Sequence, residues 1–220
     1  MRPKQTLVLG LILLVPVLAF LFLKSFGTNR YALPTYLPDH VDSTQVDGKW
    51  QRDTVFHQIG DFRLPAQSGR EVSQAELADK GLYVASFFQT GNANYQRLNT
   101  QLMRVQEKFR REPRVRMASF SVDPTHDSVA VLSRYAEQFG AIAGKWFFLT
   151  GDEASLNKVA AQEFRLPLID GSTSGSLNSQ QVFLVDKDRR VRGIYNGTSE
   201  KEINRLMTEI EVLLYTYDHE

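Results

Sequence analysis

The sequence predicts an α/β domain with a mostly parallel central sheet, preceded by one helix that crosses a membrane. Three features carry that expectation. Strand and helix patterns alternate from Thr54 onward. Leu82-Tyr83-Val84-Ala85-Ser86-Phe87-Phe88 is a nearly continuous apolar run, the mark of a strand buried on both faces. An uncharged stretch over residues 5–23 opens the chain.

The N-terminal stretch follows Arg2 and Lys4, and its core is almost wholly apolar. At 1.5 Å per residue it is long enough for a hydrocarbon layer of roughly 30 Å, and Pro16 is tolerated in such a helix. A cleaved signal peptide is the alternative, but its apolar region is shorter and ends in an A-x-A-like site. Here the run ends in Phe22-Leu23-Lys24, and the nearest small residues are Ser25 and Gly27. An uncleaved anchor is expected. Arg2 and Lys4 favour a cytoplasmic N-terminus and an extracytoplasmic domain, although Lys24 and Arg30 follow the helix. The expected organisation is an anchor at 1–26, a linker at 27–52 with Pro34, Pro38 and Gly48, and a folded domain at 53–220.

In the domain, the segments around Val55–Ile59, Phe62–Leu64 and Ser68–Arg70 suggest an N-terminal β-hairpin arrangement. After the Leu82 strand, Leu98, Leu102, Val105 and Phe109 recur at helical steps. Val115 to Val122 is the next strand, and Val129, Leu132, Ala136 and Phe139 mark a helix ended by Gly140. Trp146 to Leu149 is a third core strand, and Gly151-Asp152 precedes a helix reaching Phe164. Gln181 to Val185 and Val191 to Tyr195 form a hairpin around Asp186-Lys187-Asp188, with Arg189, Arg190 and Arg192 expected in solvent. Ile203, Leu206, Ile210 and Leu213 finish with a helix. Strand–helix–strand units imply parallel pairing with right-handed crossovers. With the terminal hairpin this is a thioredoxin-like arrangement with an N-terminal hairpin extension. The terminal hairpin and the lack of a glycine-rich first turn disfavour a doubly wound alternative.

Composition removes several chemistries. The 220 residues carry 26 basic and 25 acidic side chains, a net charge of +1, so no large field points to nucleic acid. The densest basic stretch, Lys108, Arg110, Arg111, Arg114 and Arg116, fits a helix C-terminus and a solvated strand start. There is no cysteine. Disulfides, thiolate nucleophiles and zinc–thiolate sites are therefore excluded. No phosphate loop, nucleophile elbow or H-E-x-x-H motif is present.

Several segments, in order, resemble the Sco/SenC family, membrane-anchored copper-handling proteins of cytochrome oxidase assembly. Ser121-Val122-Asp123-Pro124-Thr125-His126-Asp127-Ser128 is similar to the family's S-V-D-P-x-x-D-T. Leu132-Ser133-Arg134-Tyr135-Ala136 resembles L-x-x-Y-A, and Trp146-Phe147-Phe148-Leu149-Thr150-Gly151 resembles W-x-F-L-T-G. Asn178-Ser179 followed by Phe183-Leu184-Val185-Asp186 resembles H-S-x-x-x-x-L-V-D. The family's strand-to-helix turn, roughly F-F-x-T-x-C-P-x-x-C-P, corresponds here to Phe87 through Arg97.

The resemblance implies that the family's copper ligands, two cysteines in C-x3-C and a distant histidine, fall at Asn92, Gln96 and Asn178. Cu(I) is soft and takes thiolate, thioether or imidazole, so three amides are not expected to bind it or to exchange disulfides. No metal or other cofactor is expected there. The amides are suited to hydrogen bonding, with Asn92 or Asn94 capping the helix and Gly91 giving the turn a positive φ. Asp123, His126 and Asp127 form a compact cluster that suits a turn and is a weak metal candidate. Met103 and Met117 read as core. The implied function is a non-enzymatic binding or assembly factor of respiratory oxidase biogenesis, with membrane and protein partners. Two alternatives stay open: a sensor of a small polar ligand or peptide through Gln89, Gly91, Asn92, Gln96 and Asn178, and a divergent metal binder at Asp123, His126 and Asp127.

Overall fold

The computed structural model describes residues 12–22, 33–46, 49–79, 81–167 and 180–219. The chain divides into two units, Met1–Ala32 and Leu33–Glu220.

In the first unit residues 12–22 form a helix, α1, whose side chains are all exposed. Among the described residues no helix is long and apolar enough to cross a membrane. The span expected over 5–23 lies partly outside them.

The second unit begins with an antiparallel hairpin, β1 (Pro38–Val46) and β2 (Lys49–Phe56). A short pair follows, β3 (Arg63–Pro65) and β4 (Glu71–Ser73), and then α2 (Gln74–Ala78). Ser73 caps α2 by accepting from the Glu76 N–H. The core elements are β5 (Leu82–Phe88), α3 (Asn94–Lys108), β6 (Val115–Ser121), α4 (Val129–Gln138), β7 (Trp146–Leu149) and α5 (Glu153–Asn157). The last helix widens into a π-helical turn, Lys158–Glu163, which Arg165 closes at φ 51°. The chain ends with β8 (Gln181–Val185), β9 (Val191–Asn196) and α6 (Glu200–Tyr217).

Five strands form one sheet in the order β7-β6-β5-β8-β9. β5, β6 and β7 are parallel, and β8 and β9 are antiparallel, which is the arrangement expected from the alternating pattern. β5 is central and buried along its whole length. Its side chains alternate between two cores. Leu82, Val84 and Phe88 join the core beneath α3, α4 and α6, while Tyr83, Ala85 and Phe87 join the one beneath α2 and the π turn. Two buried hydroxyls of the sheet pair with each other: Ser86 Oγ lies 2.8 Å from Ser119 Oγ, which accepts from the Trp146 indole at 2.9 Å. Met117 is buried and Met103 packs against the same core. Gly140 ends α4 at φ 59°.

Three local expectations change. The segment read as a linker is structured from Leu33, whose side chain is 5% exposed and sits in the core. Most of 38–56 is the β1–β2 hairpin, whose described side chains are exposed on both faces apart from the partly buried Val55 and Phe56 at its base, so it lacks the alternation that reveals a half-buried strand. Arg192 is not solvated: its guanidinium holds the Asp186 carboxylate at 3.0 Å and the Leu33 and Pro34 carbonyls.

Candidate functional site

β5 and β6 are neighbours with Phe88 opposite Ser121, so the turns that follow them leave the sheet side by side. The Val122 N–H donates to the Phe88 carbonyl at 2.9 Å, extending the ladder one step past the strands. In open parallel sheets, this carboxyl end is where ligand sites form.

Two carboxylates join the turns. Asp123 Oδ2 accepts from Gln89 Nε2 at 2.7 Å. Asp127 accepts from the Thr90 hydroxyl through Oδ1 and from Ser121 Oγ through Oδ2, the latter at 2.6 Å. Ser121 Oγ in turn accepts from the Asp123 N–H at 3.1 Å. Asp123 further accepts from Thr125 Oγ1 at 2.6 Å and from His126 Nδ1, 2.8 Å from Oδ2. A carboxylate only accepts, so His126 carries its proton on Nδ1 and presents Nε2 outward on a ring that is 79% exposed.

The electrostatics follow from burial. Asp127 is fully buried, and desolvation raises its carboxyl above the ordinary range, against the opposing hydrogen bonds from Ser121 and Thr90. Burial also pushes Asp123 up, but hydrogen bonds from Thr125, His126 and Gln89 outweigh it and the group lies below the ordinary range. His126 is raised, chiefly by its hydrogen bond to Asp123.

The cluster named as a weak metal candidate is drawn two ways. Asp123 orients His126, whereas Asp127 points to Thr90 and Ser121. Among the described residues no three His, Asp or Glu side chains are grouped to hold a metal ion. Gln89 spends its amide on Asp123. Asn92 is half-buried, and its Oδ1 accepts from the Asn94 N–H at 3.0 Å. The helix cap itself is Ala93, without a side-chain bond, and Asn94 is the first helical residue. Gly91 is not at positive φ, a conformation that glycines adopt only at 69, 140 and 144 among the described residues. A side chain built there would meet nothing, so the turn does not need that glycine. Gln96 is exposed in the first turn of α3. Asn178 lies outside the described residues. The donor set at 92 and 96 is two neutral, hard amide oxygens, which does not fit soft Cu(I).

Sequence reasoning missed the joints between the turns. Gln89 and Asp123 are 34 residues apart and Thr90 and Asp127 are 37, so no local pattern announces either pair. It also missed the π turn, whose Glu163 is 8% exposed and accepts from the Gly60 N–H at 2.6 Å, with His57 Nε2 at 3.3 Å. A Cβ at Gly60 would lie 2.9 Å from Glu163 Oε1, so a side chain there would displace the carboxylate that accepts from the Gly60 N–H.

Comparison with known proteins matches this arrangement. The family model SCO1/SenC covers residues 51–214. A SCO1 protein homolog of Bacillus subtilis is 24% identical over 168 residues, covering 74% of this chain and 86% of that protein. The structure of a SCO1/SenC family lipoprotein from Bacillus anthracis superposes with a TM-score of 0.63 at 21% identity, over 72% of this chain and 95% of that one. BsSco, described as a Sco-family cytochrome c oxidase assembly protein with a disulfide switch, superposes with a TM-score of 0.60 at 24% identity, over 70% and 92%. With three quarters of its length matched and a thioredoxin-like fold beneath it, the chain belongs to the SCO1/SenC family.

Proposed function

We propose that this chain is a Sco-family protein that has lost copper and thiol chemistry and works by binding, as a non-catalytic assembly factor for a respiratory oxidase. It is held at the outer face of the cytoplasmic membrane by the apolar segment 5–23. The observation that carries the reading is the turn after β5. The C-x3-C ligand positions hold Asn92 and Gln96, the chain has no sulfur nucleophile to replace them, and the polar groups around them are engaged with one another. What persists is the scaffold that positions the turn. The oxidase context is supported by family membership and by the assembly role described for BsSco.

Restoring the ligands tests the assignment of positions. The full chain carrying Asn92→Cys, Gln96→Cys and Asn178→His is expected to gain stoichiometric Cu(I) affinity, because the two thiolates arrive one helical turn apart on a preformed turn. A restored triad that stays inert shows that these are not the ligand positions. In cells, deletion is expected to lower assembled oxidase, and the unaltered cysteine-free chain to restore it. Failure of that complementation removes the assembly role.

A further inference from the structure

The β1–β2 arm is built unlike the rest of its unit. A two-stranded hairpin is marginal alone in water and normally buries a face against a third element. Among the described residues, this one is fixed only at its base. Arg165 of the π turn bonds the Pro38 carbonyl at 2.7 Å and Asp39 at 2.8 Å, and the His57 N–H donates to the Leu37 carbonyl. Beyond that base its described side chains are exposed.

Its two faces differ. Register places Gln45 opposite Trp50, Ser43 opposite Arg52 and Val41 opposite Thr54, so Trp50, Arg52 and Val41 share one face. Trp50 is 71% and Val41 57% exposed, and the only other large exposed apolar side chain described in Leu33–Glu220 is Tyr215. On the opposite face Asp42 stands directly across from Asp53. Like charges so placed destabilise a hairpin; the His40 ring lies 3.4 Å from Asp42, and among the described residues no lysine or arginine is paired with Asp42 or Asp53. An exposed Trp on one face and an acidic pair with no described arginine or lysine partner on the other are both unfavourable in isolation.

We propose that the arm inserts into a groove of a partner protein, which buries Trp50 in an apolar recess and sets an arginine or lysine against Asp42 and Asp53. Trp and Arg at an interface centre carry most of the binding energy, and the carboxylate pair supplies steering and register. An anionic lipid surface is disfavoured, because the arm carries Asp39, Asp42, Asp47 and Asp53 against Lys49 and Arg52. A second copy docked symmetrically on the Asp42–Asp53 face would bring two acidic pairs together.

The test uses the full chain in its native membrane, with a photo-crosslinking residue at Gln45 and a control at Thr208 on α6. The expected result is an arm-specific adduct to one protein. Its crosslinked peptide carries arginine or lysine, its yield falls about tenfold with Trp50→Ala, and it falls with added salt. Asp42→Asn with Asp53→Asn separates docking from mere folding. It relieves the repulsion and stabilises a free arm, yet it is expected to lower the adduct. An adduct only to a second copy, a lipid adduct, no adduct above the control, or a yield indifferent to Trp50→Ala overturns the proposal. Normal oxidase assembly in a deletion strain would remove the assembly role and leave the arm's adduct as its own result.

Discussion

The turns at the ends of β5 and β6 and the β1–β2 arm treat polar groups in opposite ways. Around the turns, Gln89, Thr90, Ser121, Asp123, Thr125 and Asp127 satisfy one another within a few ångströms, and Asp127 is fully buried. On the arm, Asp42 faces Asp53 and Trp50 lies open. The first region keeps its shape without a ligand. The second leaves an indole and two facing carboxylates exposed. The contrast places preserved architecture where the family's chemistry would sit and unfinished surface elsewhere.

Breaking the first region has the largest expected effect. Asp127→Ala leaves the Thr90 and Ser121 hydroxyls without their acceptor in a buried site. A loss of about 2–3 kcal/mol is expected, read by thermal melting as a drop of roughly 4–12 °C. Asp127→Asn keeps an acceptor and removes a desolvated charge, so its loss is expected to be well under half of that.

The pH dependence sharpens the same point. Asp127 has a raised carboxyl in the fold, so its contribution is full at low pH and fades as pH rises through that raised value. The Asp127→Asn protein should gain stability relative to the parent across that window. Asp123 is lowered, so its contribution is present above its unfolded value and fades as pH falls through the folded one. His126 is raised, and its contribution is fullest below about 6.5 and fades as pH rises through the folded value. Melting curves of His126→Ala against the parent should therefore converge at alkaline pH. Separate melts that keep a constant gap would contradict the Asp123–His126 bond.

Gln89→Ala cuts one of the joints and leaves Asp123 its bonds from Thr125 and His126, so about 1 kcal/mol is expected. Trp50→Ala is the smallest in stability, within about 0.5 kcal/mol, because an exposed side chain supports little. A large loss there would mean the arm is buried against its own domain.

The sheet was readable because β5, β6 and β7 are each followed by a helix of distinct periodicity, β8 and β9 read as a hairpin, and Leu82–Phe88 is nearly all apolar. The hairpin was missed because a strand exposed on both faces has no hydrophobic period: 38–52 fell inside the expected linker, and only Val55 onward reads as strand. The site was half legible. Asn92, Gln96 and the aspartates were locatable by motif, but their bonds were not. Gln89 was readable only as one amide of a possible pocket, and Asp123, His126 and Asp127 as a turn cluster and weak metal candidate, because residues 34 and 37 apart have no sequence signal for the joint that pairs them. The positive φ expected at Gly91 failed because the turn closes through Asn92 and its bond to the Asn94 N–H.

The central claim, a Sco scaffold without a copper site, is tested most directly by anaerobic titration of the full, detergent-solubilised chain with Cu(I) against a chromophoric competitor. Only weak, non-stoichiometric uptake is expected, unchanged by Asn92→Ala and Gln96→Ala. One tight copper ion per chain would contradict the account.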